Sequence, residues 1–176
     1  MRAISVITTS LLSITICAGV ALPAQSDESA AAVKEVSVHQ IVKARPTVVW
    51  EAIRHQRKTD AEHRKVISYH DNEATIEEKF PGLPIIGAAT CLYKEYEVPL
   101  KRIDYSMINS NQFKTFEGSW VLTPDGENTI VDLSSSLDPG LRVPFWREIT
   151  KMATMKHIRK RLDDVQHDAE SAQKQL

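Results

Sequence analysis

Phe116-Glu117-Gly118-Ser119-Trp120-Val121-Leu122 is followed by the turn Thr123-Pro124-Asp125-Gly126 and a second extended run from Thr129 to Leu137. The loop Asp138-Pro139-Gly140-Leu141-Arg142-Val143-Pro144 comes next. Apolar and polar residues alternate on both sides of the turn, the period of half-buried strands, and Pro124 with Gly126 supplies the turn dihedrals. Beyond Pro144 the period changes. Phe145, Ile149, Met152, Met155, Ile158, Leu162, Val165 and Ala169 recur every three or four residues, which predicts one amphipathic helix from near Pro144 to about Ala169. Two strands and a long helix that must lie across them predict a curved sheet gripping a helix, and such a grip tends to leave an apolar hollow.

The alternation assigns faces. Phe116, Gly118, Trp120 and Leu122 share one side; Val131, Leu133, Ser135 and Leu137 form the facing set, and Ile103, Tyr105 and Met107 repeat it one strand earlier. Gly118 inside a strand marks a close approach, and a helix backbone lying over it is the expected neighbour.

Working outward, Arg102 to Asn109 and Thr90 to Val98 flank Pro99-Leu100-Lys101, while Arg64 to His70 and Glu73 to Phe80 form a hairpin about Asp71-Asn72. Short connections between successive strands predict an antiparallel meander. Glu35 to Ala44 reads as the first strand. Pro46 suits a first helical turn, so Thr47 to Ile53 is expected as one short helix and Gln56 to Glu62 as a second. Pro81-Gly82-Leu83-Pro84-Ile85-Ile86-Gly87 is an unusually apolar loop.

The 176 residues are 42% hydrophobic and 26% charged with a formal net charge of -1. That fits one globular domain with a real core and excludes the basic stripe of a nucleic-acid surface. The bases after Trp146 alternate with Glu148, Asp163 and Asp164, a solvated helix face. At the amino terminus Arg2 precedes an almost uncharged run, Ala3 to Val20, and small residues follow. The expectation is a secretory signal over 1–24, cleaved after Ala21 or Ala24, with an uncleaved membrane anchor as the alternative. A linker at 25–33, the domain at 34–170 and a tail at 171–176 complete the division. The protein is therefore expected outside the cytoplasm, periplasmic or secreted. Ile16 is bulky where a lipoprotein signal takes a small residue before its cysteine, here Cys17. With the signal removed Cys91 is the remaining cysteine, expected as a small buried apolar residue.

The order strand, two short helices, six strands, long helix resembles the α+β helix-grip fold of the START-related superfamily (SRPBCC). That superfamily includes birch-pollen-allergen-like proteins, polyketide cyclases and coenzyme Q-binding proteins. The segments that carry the resemblance are Ala44-Arg45-Pro46-Thr47-Val48-Val49-Trp50-Glu51-Ala52-Ile53, Arg102-Ile103-Asp104-Tyr105, Phe116 to Pro124, and Asp138-Pro139-Gly140 with Val143-Pro144. They are landmarks of architecture, not of chemistry. The resemblance implies about seven antiparallel strands around the closing helix, and a hydrophobic small molecule (lipid, sterol, quinone or polyketide-like) carried between them.

Inward positions then become candidate ligand contacts. Ile76, Glu78 and Phe80 share a side with Ala74. A carboxylate there would have its pKa raised by desolvation and could orient a ligand hydroxyl or act as an acid or base; alternatively, Glu78 pairs with Lys94 or another strand neighbour. Tyr96, Tyr105, Phe116 and Trp120 are either ring-stacking contacts or plain core, and Met107 and Leu133 lie on the same face. Ile149, Met152 and Met155 suit a wall that adapts to a flexible guest. Arg142 or Glu78 would hold a polar head. Leu83, Ile85 and Ile86 form either a lip that touches membrane transiently or a loop folded back on the core.

Two other readings stay open. A cyclase or aromatase would need titratable groups in the hollow, Glu78 and Tyr105 among them. An interaction module would carry a vestigial cavity. No glycine-rich phosphate loop, nucleophile elbow or paired cysteines point to a cofactor. The six histidines show no metal-ligand spacing, and His55, His63, Asp60 and Glu62 read as a solvated cluster.

Overall fold

A computed structural model describes residues 35–83, 85–141 and 143–176. The expected export signal and linker, and Arg142, lie outside the described residues.

Alternation becomes seven strands: β1 (Val36–Val42), β2 (Arg64–His70), β3 (Glu73–Leu83), β4 (Gly87–Val98), β5 (Arg102–Ser110), β6 (Thr115–Asp125) and β7 (Asn128–Asp138). They form one antiparallel sheet in the order β1-β7-β6-β5-β4-β3-β2. The chain thus runs as a meander from β2 to β7, and β1 closes the far side beside β7. Register shifts between Val66 and Ser68, Phe80 and Leu83, and Leu92 and Tyr93 bend β2, β3 and β4. Such irregularities increase local twist, which curls this half of the sheet.

Helix α1 (Pro46–Thr59) follows β1, with Pro46 in its first turn. It is one helix, where two short ones were expected. The run after Ile53 is polar, yet Gln56 and Arg57 extend the buried face of Val49, Trp50 and Ile53. Their polar ends are met by groups inside the fold. Gln56 donates to the Arg161 carbonyl, and Arg57 pairs with Glu95 and Glu97.

Helix α2 (Trp146–Gln173) crosses the sheet, burying Thr150, Thr154, Ile158, Arg161, Leu162, Val165 and Ala169. From Ile158 onward the apolar stripe read from sequence is the packed one. Each fully buried side chain of this size contributes roughly 1.5–3 kcal/mol. Before Ile158 the buried face continues by fours through Thr154 and Thr150, not through the bulkier apolar residues. Phe145 is 76% exposed and Met152 73% exposed. That part of the expected stripe is corrected: it faces outward.

The inward sets on β5, β6 and β7 are as the alternation predicts, with Ile103, Tyr105, Phe116, Trp120, Leu122, Val131, Leu133, Ser135 and Leu137 buried. Gly118 is tight for a different reason from the expected helix. A Cβ there would overlap the Tyr105 hydroxyl and the Ser134 carbonyl, which are themselves joined by a 2.9 Å hydrogen bond. Cys91 is fully buried, and burial first, then the Glu78 charge, pushes its thiol up to about 12.

Candidate ligand site between the sheet and the long helix

Even-numbered residues of β3 and odd-numbered residues of β4 point inward, toward the two helices, which puts Ala74, Ile76, Glu78 and Phe80 beside Cys91, Tyr93, Glu95 and Glu97. Three carboxylates thus lie under the helices on an inner face otherwise built of apolar residues. Each is answered. The Arg64 guanidinium reaches Glu78 at 2.7 Å, and the Tyr93 hydroxyl donates to the other Glu78 oxygen at 2.7 Å. Arg57 lies 2.6 Å from Glu95 and also pairs with Glu97, to which Tyr69 donates at 3.2 Å.

Burial alone would raise the pKa of Glu78, as expected from sequence. The guanidinium of Arg64, and then Arg161 and His157, outweigh it and hold the carboxyl down at about 2. The expected upward shift is therefore corrected in sign. Lys94, the sequence-named partner, pairs instead with Glu73 at 3.1 Å on the exposed side.

Two residues of α2 complete the cluster. His157 places Nε2 3.7 Å from Glu78, and that atom is buried without a hydrogen-bond partner. Burial first, opposed by Glu78 and aided by Arg161 and Arg64, lowers its pKa to about 4, so the ring is neutral at neutral pH. Arg161 is 8% exposed and lies over the Trp120 ring, 5.2 Å from its centroid.

These groups face a cleft of about 490 Å³ between α2, the end of α1 and the outer half of β3. Gln56, Arg64, Glu78, His157 and Arg161 line it on the polar side, Phe80, Pro81 and Leu83 on the apolar side. Its volume falls within the range of small-molecule sites, roughly 300–1,000 Å³. Behind Phe80 lies a second space of about 30 Å³, walled by Ile86, Phe116, Leu137, Thr150, Ala153 and Thr154. The small residues on this turn of α2 leave the gap. It has room for about one or two waters and no more. The expected apolar hollow is thus nearly closed, and the larger space is polar-walled.

Phe80, Leu83 and His157 border both spaces. The Phe80 and His157 rings are 5.4 Å apart, and Phe80 meets Phe113 and Phe116 edge-on at 5.3 and 5.6 Å. This ring cluster is the partition between cleft and void.

The sequence-named residues divide accordingly. Glu78 and Phe80 line the cleft, and Phe116 borders the void. Ile76, Tyr105, Trp120 and Leu133 are fully buried core, and Met107 and Met155 pack at its margin. Ile149 is half-buried. Tyr96 is on the outer face, 52% exposed, and Met152 is on the outer side of α2. Leu83 and Ile86 fold back against the core, while Ile85 at the hairpin tip is 54% exposed. Sequence reasoning missed Tyr93, Arg64, His157 and Arg161. Tyr93 was findable, since it alternates with Cys91 and Glu95; Arg64, His157 and Arg161 carry polar side chains that no apolar period marks as inward. Among the described residues no group of three His, Cys, Asp or Glu side chains converges as a metal site would require.

Neither a protein-family model nor a curated protein sequence matches this chain. Solved structures do. A protein from Thermus thermophilus is 19% identical with a TM-score of 0.57, over 78% of this chain and 95% of its own. The Zhui aromatase/cyclase of a Streptomyces species is 17% identical with a TM-score of 0.65, over 78% of this chain and 93% of its own. A START superfamily protein from Mycobacterium smegmatis is 14% identical with a TM-score of 0.58, over 80% and 97% of the two chains. At these identities the likeness is one of fold: the chain has the helix-grip fold, a curved antiparallel sheet around a long closing helix.

Proposed function

We propose that this protein binds and carries a hydrophobic small molecule beneath α2. The guest enters through the cleft and seats against Phe80, Leu83 and the void behind them. One observation carries this reading. A cleft large enough for a small molecule and an apolar void share the Phe80, Leu83 and His157 side chains as a common wall. Rotation of one ring and a shift of the β3–β4 tip would merge the two spaces into a cavity with a polar mouth and an apolar end. The helix-grip fold supports the reading, since its members bind hydrophobic ligands or act as cyclases and aromatases. Export, expected from the amino-terminal segment, belongs to the same proposal and suits a carrier working outside the cytoplasm.

A cyclase or aromatase is the second reading, favoured by the titratable groups at the cleft and by the likeness to the Zhui enzyme. Carriage is preferred because the obvious proton shuttles are engaged elsewhere. Glu78 is held ionised by Arg64 and Tyr93, a weak base in that state, and Tyr105 donates to the Ser134 carbonyl. The test is solvent extraction of the purified protein followed by mass spectrometry, with native mass spectrometry after loading with fatty acids, sterols or quinones. A guest of one apolar class at one copy per chain is expected. An empty protein that takes up none of the three classes would refute carriage.

A further inference from the structure

Of the three guanidinium groups buried under α1 and α2, two have carboxylate partners and one does not. Arg57 holds Glu95 and Glu97, and Arg64 holds Glu78. Arg161 is more than nine-tenths buried, and among the described residues it makes no direct ion pair; the Glu78 charge reaches it, but that carboxylate is already bonded to Arg64 and Tyr93. Arg161 lines the cleft. The Trp120 face beneath it offsets part of the desolvation. A ring quadrupole does not replace a directly bonded counter-ion, and two buried guanidinium groups sharing the one Glu78 charge are costly to keep.

The surroundings define what would complete it. A guanidinium presents a planar fork that matches a carboxylate through two parallel hydrogen bonds. The buried His157 Nε2 sits in the same wall without a partner. Around the rim stand Asp60, Asp164 and Asp168; His63 faces Asp60 at 2.8 Å and Lys160 faces Asp164 at 2.6 Å. Lys79 and His167 also line the cleft. One unmatched guanidinium inside a rim that carries three carboxylates suits a single negative charge and disfavours two. The apolar wall next to it, Phe80, Pro81 and Leu83, accepts a hydrocarbon body.

We propose that Arg161 anchors one carboxylate, so that the carried molecule is a monocarboxylate with an apolar body, of the fatty-acid class. Its head lies on the guanidinium above Trp120, and its tail runs along Phe80 and Leu83 toward the void. The inference rests on the carriage proposed above and adds the chemistry of the head group.

The experiment measures binding of decanoate, decanol and decyl phosphate to the purified protein by calorimetry at neutral pH and fixed salt. Decanoate is expected to bind about tenfold or more tighter than decanol, the scale of a charge-assisted hydrogen-bonded pair. Decyl phosphate is expected to bind more weakly than decanoate. In Arg161→Met the ratio of decanoate to decanol affinity falls to about one, and in Arg161→Lys it is partly restored. Equal binding of decanoate and decanol by the unaltered protein overturns the anchor while leaving carriage standing. Tighter binding of decyl phosphate overturns the single-charge specificity. Failure of all three ligands to bind also overturns the anchor, and carriage itself falls if sterols and quinones are refused as well. The comparison among ligands needs no variant, so it decides even if Arg161→Met fails to fold.

Discussion

Glu78 shows how far one residue can be read from sequence. Its inward direction follows from the strict alternation of β3, and it is 3% exposed. Its ionisation does not follow. Arg64 lies at the start of β2, fourteen positions before it, and reaches it only because β2 and β3 pair antiparallel with these two opposite each other. The same limit applies to Tyr96 and Tyr93 on β4. One step of strand phase exchanges the exposed ring for the buried one. The polar residues Arg64, His157 and Arg161 resemble surface in composition, and only the tertiary arrangement turns them inward.

His157 gives a testable consequence at this scale. Its pKa falls from 6.5 to about 4 in the folded chain, so between these values the unfolded state binds the proton and the folded state does not. Stability is then complete above about 6.5 and is lost as pH falls toward 4. Glu78, depressed from 4.5 to about 2, adds a second loss below 4.5. Urea midpoints measured from pH 8 to pH 3 should fall in these two steps. His157→Gln should flatten the upper step and keep the lower one. An unchanged upper step in the variant would mean that another group titrates there.

At the scale of elements, α2 was legible in its carboxy-terminal half and misread in its first turns. Ile158, Leu162, Val165 and Ala169 pack as their spacing requires. Ahead of them the sheet-facing positions are Thr150 and Thr154, residues small enough to lie close to β7 and polar enough to escape a search for apolar stripes. Helical threonines can return their hydroxyls to the preceding turn, which permits burial. The single α1 is expected as two helices for a related reason, because the apolar face ends at Ile53 and its continuation through Gln56 and Arg57 is polar. The β3–β4 tip was legible as unusual but not in its fate: Leu83 pairs with Gly87 and packs inward.

Phe80 is where these elements meet, and truncating it tests the partition. Phe80→Ala should cost about 3–5 kcal/mol of stability, the range for emptying a buried ring site. It should also join the cleft to the void. Uptake of the apolar dye N-phenyl-1-naphthylamine should then rise although the protein is less stable. A loss of stability with no gain in uptake would mean that the site collapses and that Phe80 is ordinary core.

For the whole molecule, topology was the most legible feature. Five hairpin-like connections and one long closing helix leave few ways to bury the apolar faces, and the curved sheet around α2 is the result. The interior was less legible than the wrap. Periodicity says which side of a strand is inside, but not whether side chains fill the space, since filling depends on the sizes of residues brought together from distant segments. Here the rings of Phe80, Phe113 and Phe116 nearly close the apolar end, and ionic groups of α1, α2, β2, β3 and β4 shape the polar end.

The central claim is that a guest lodges between β3 and α2. It is tested most directly by titrating isotope-labelled protein with decanol and mapping amide shifts by nuclear magnetic resonance. The largest shifts are expected at Phe80, Leu83, Ala153, Thr154 and His157, saturating together at one guest per chain. Shifts confined to the outer side of α2 around Phe145, Met152 and Lys156, or none at a saturating concentration, would contradict carriage in the interior.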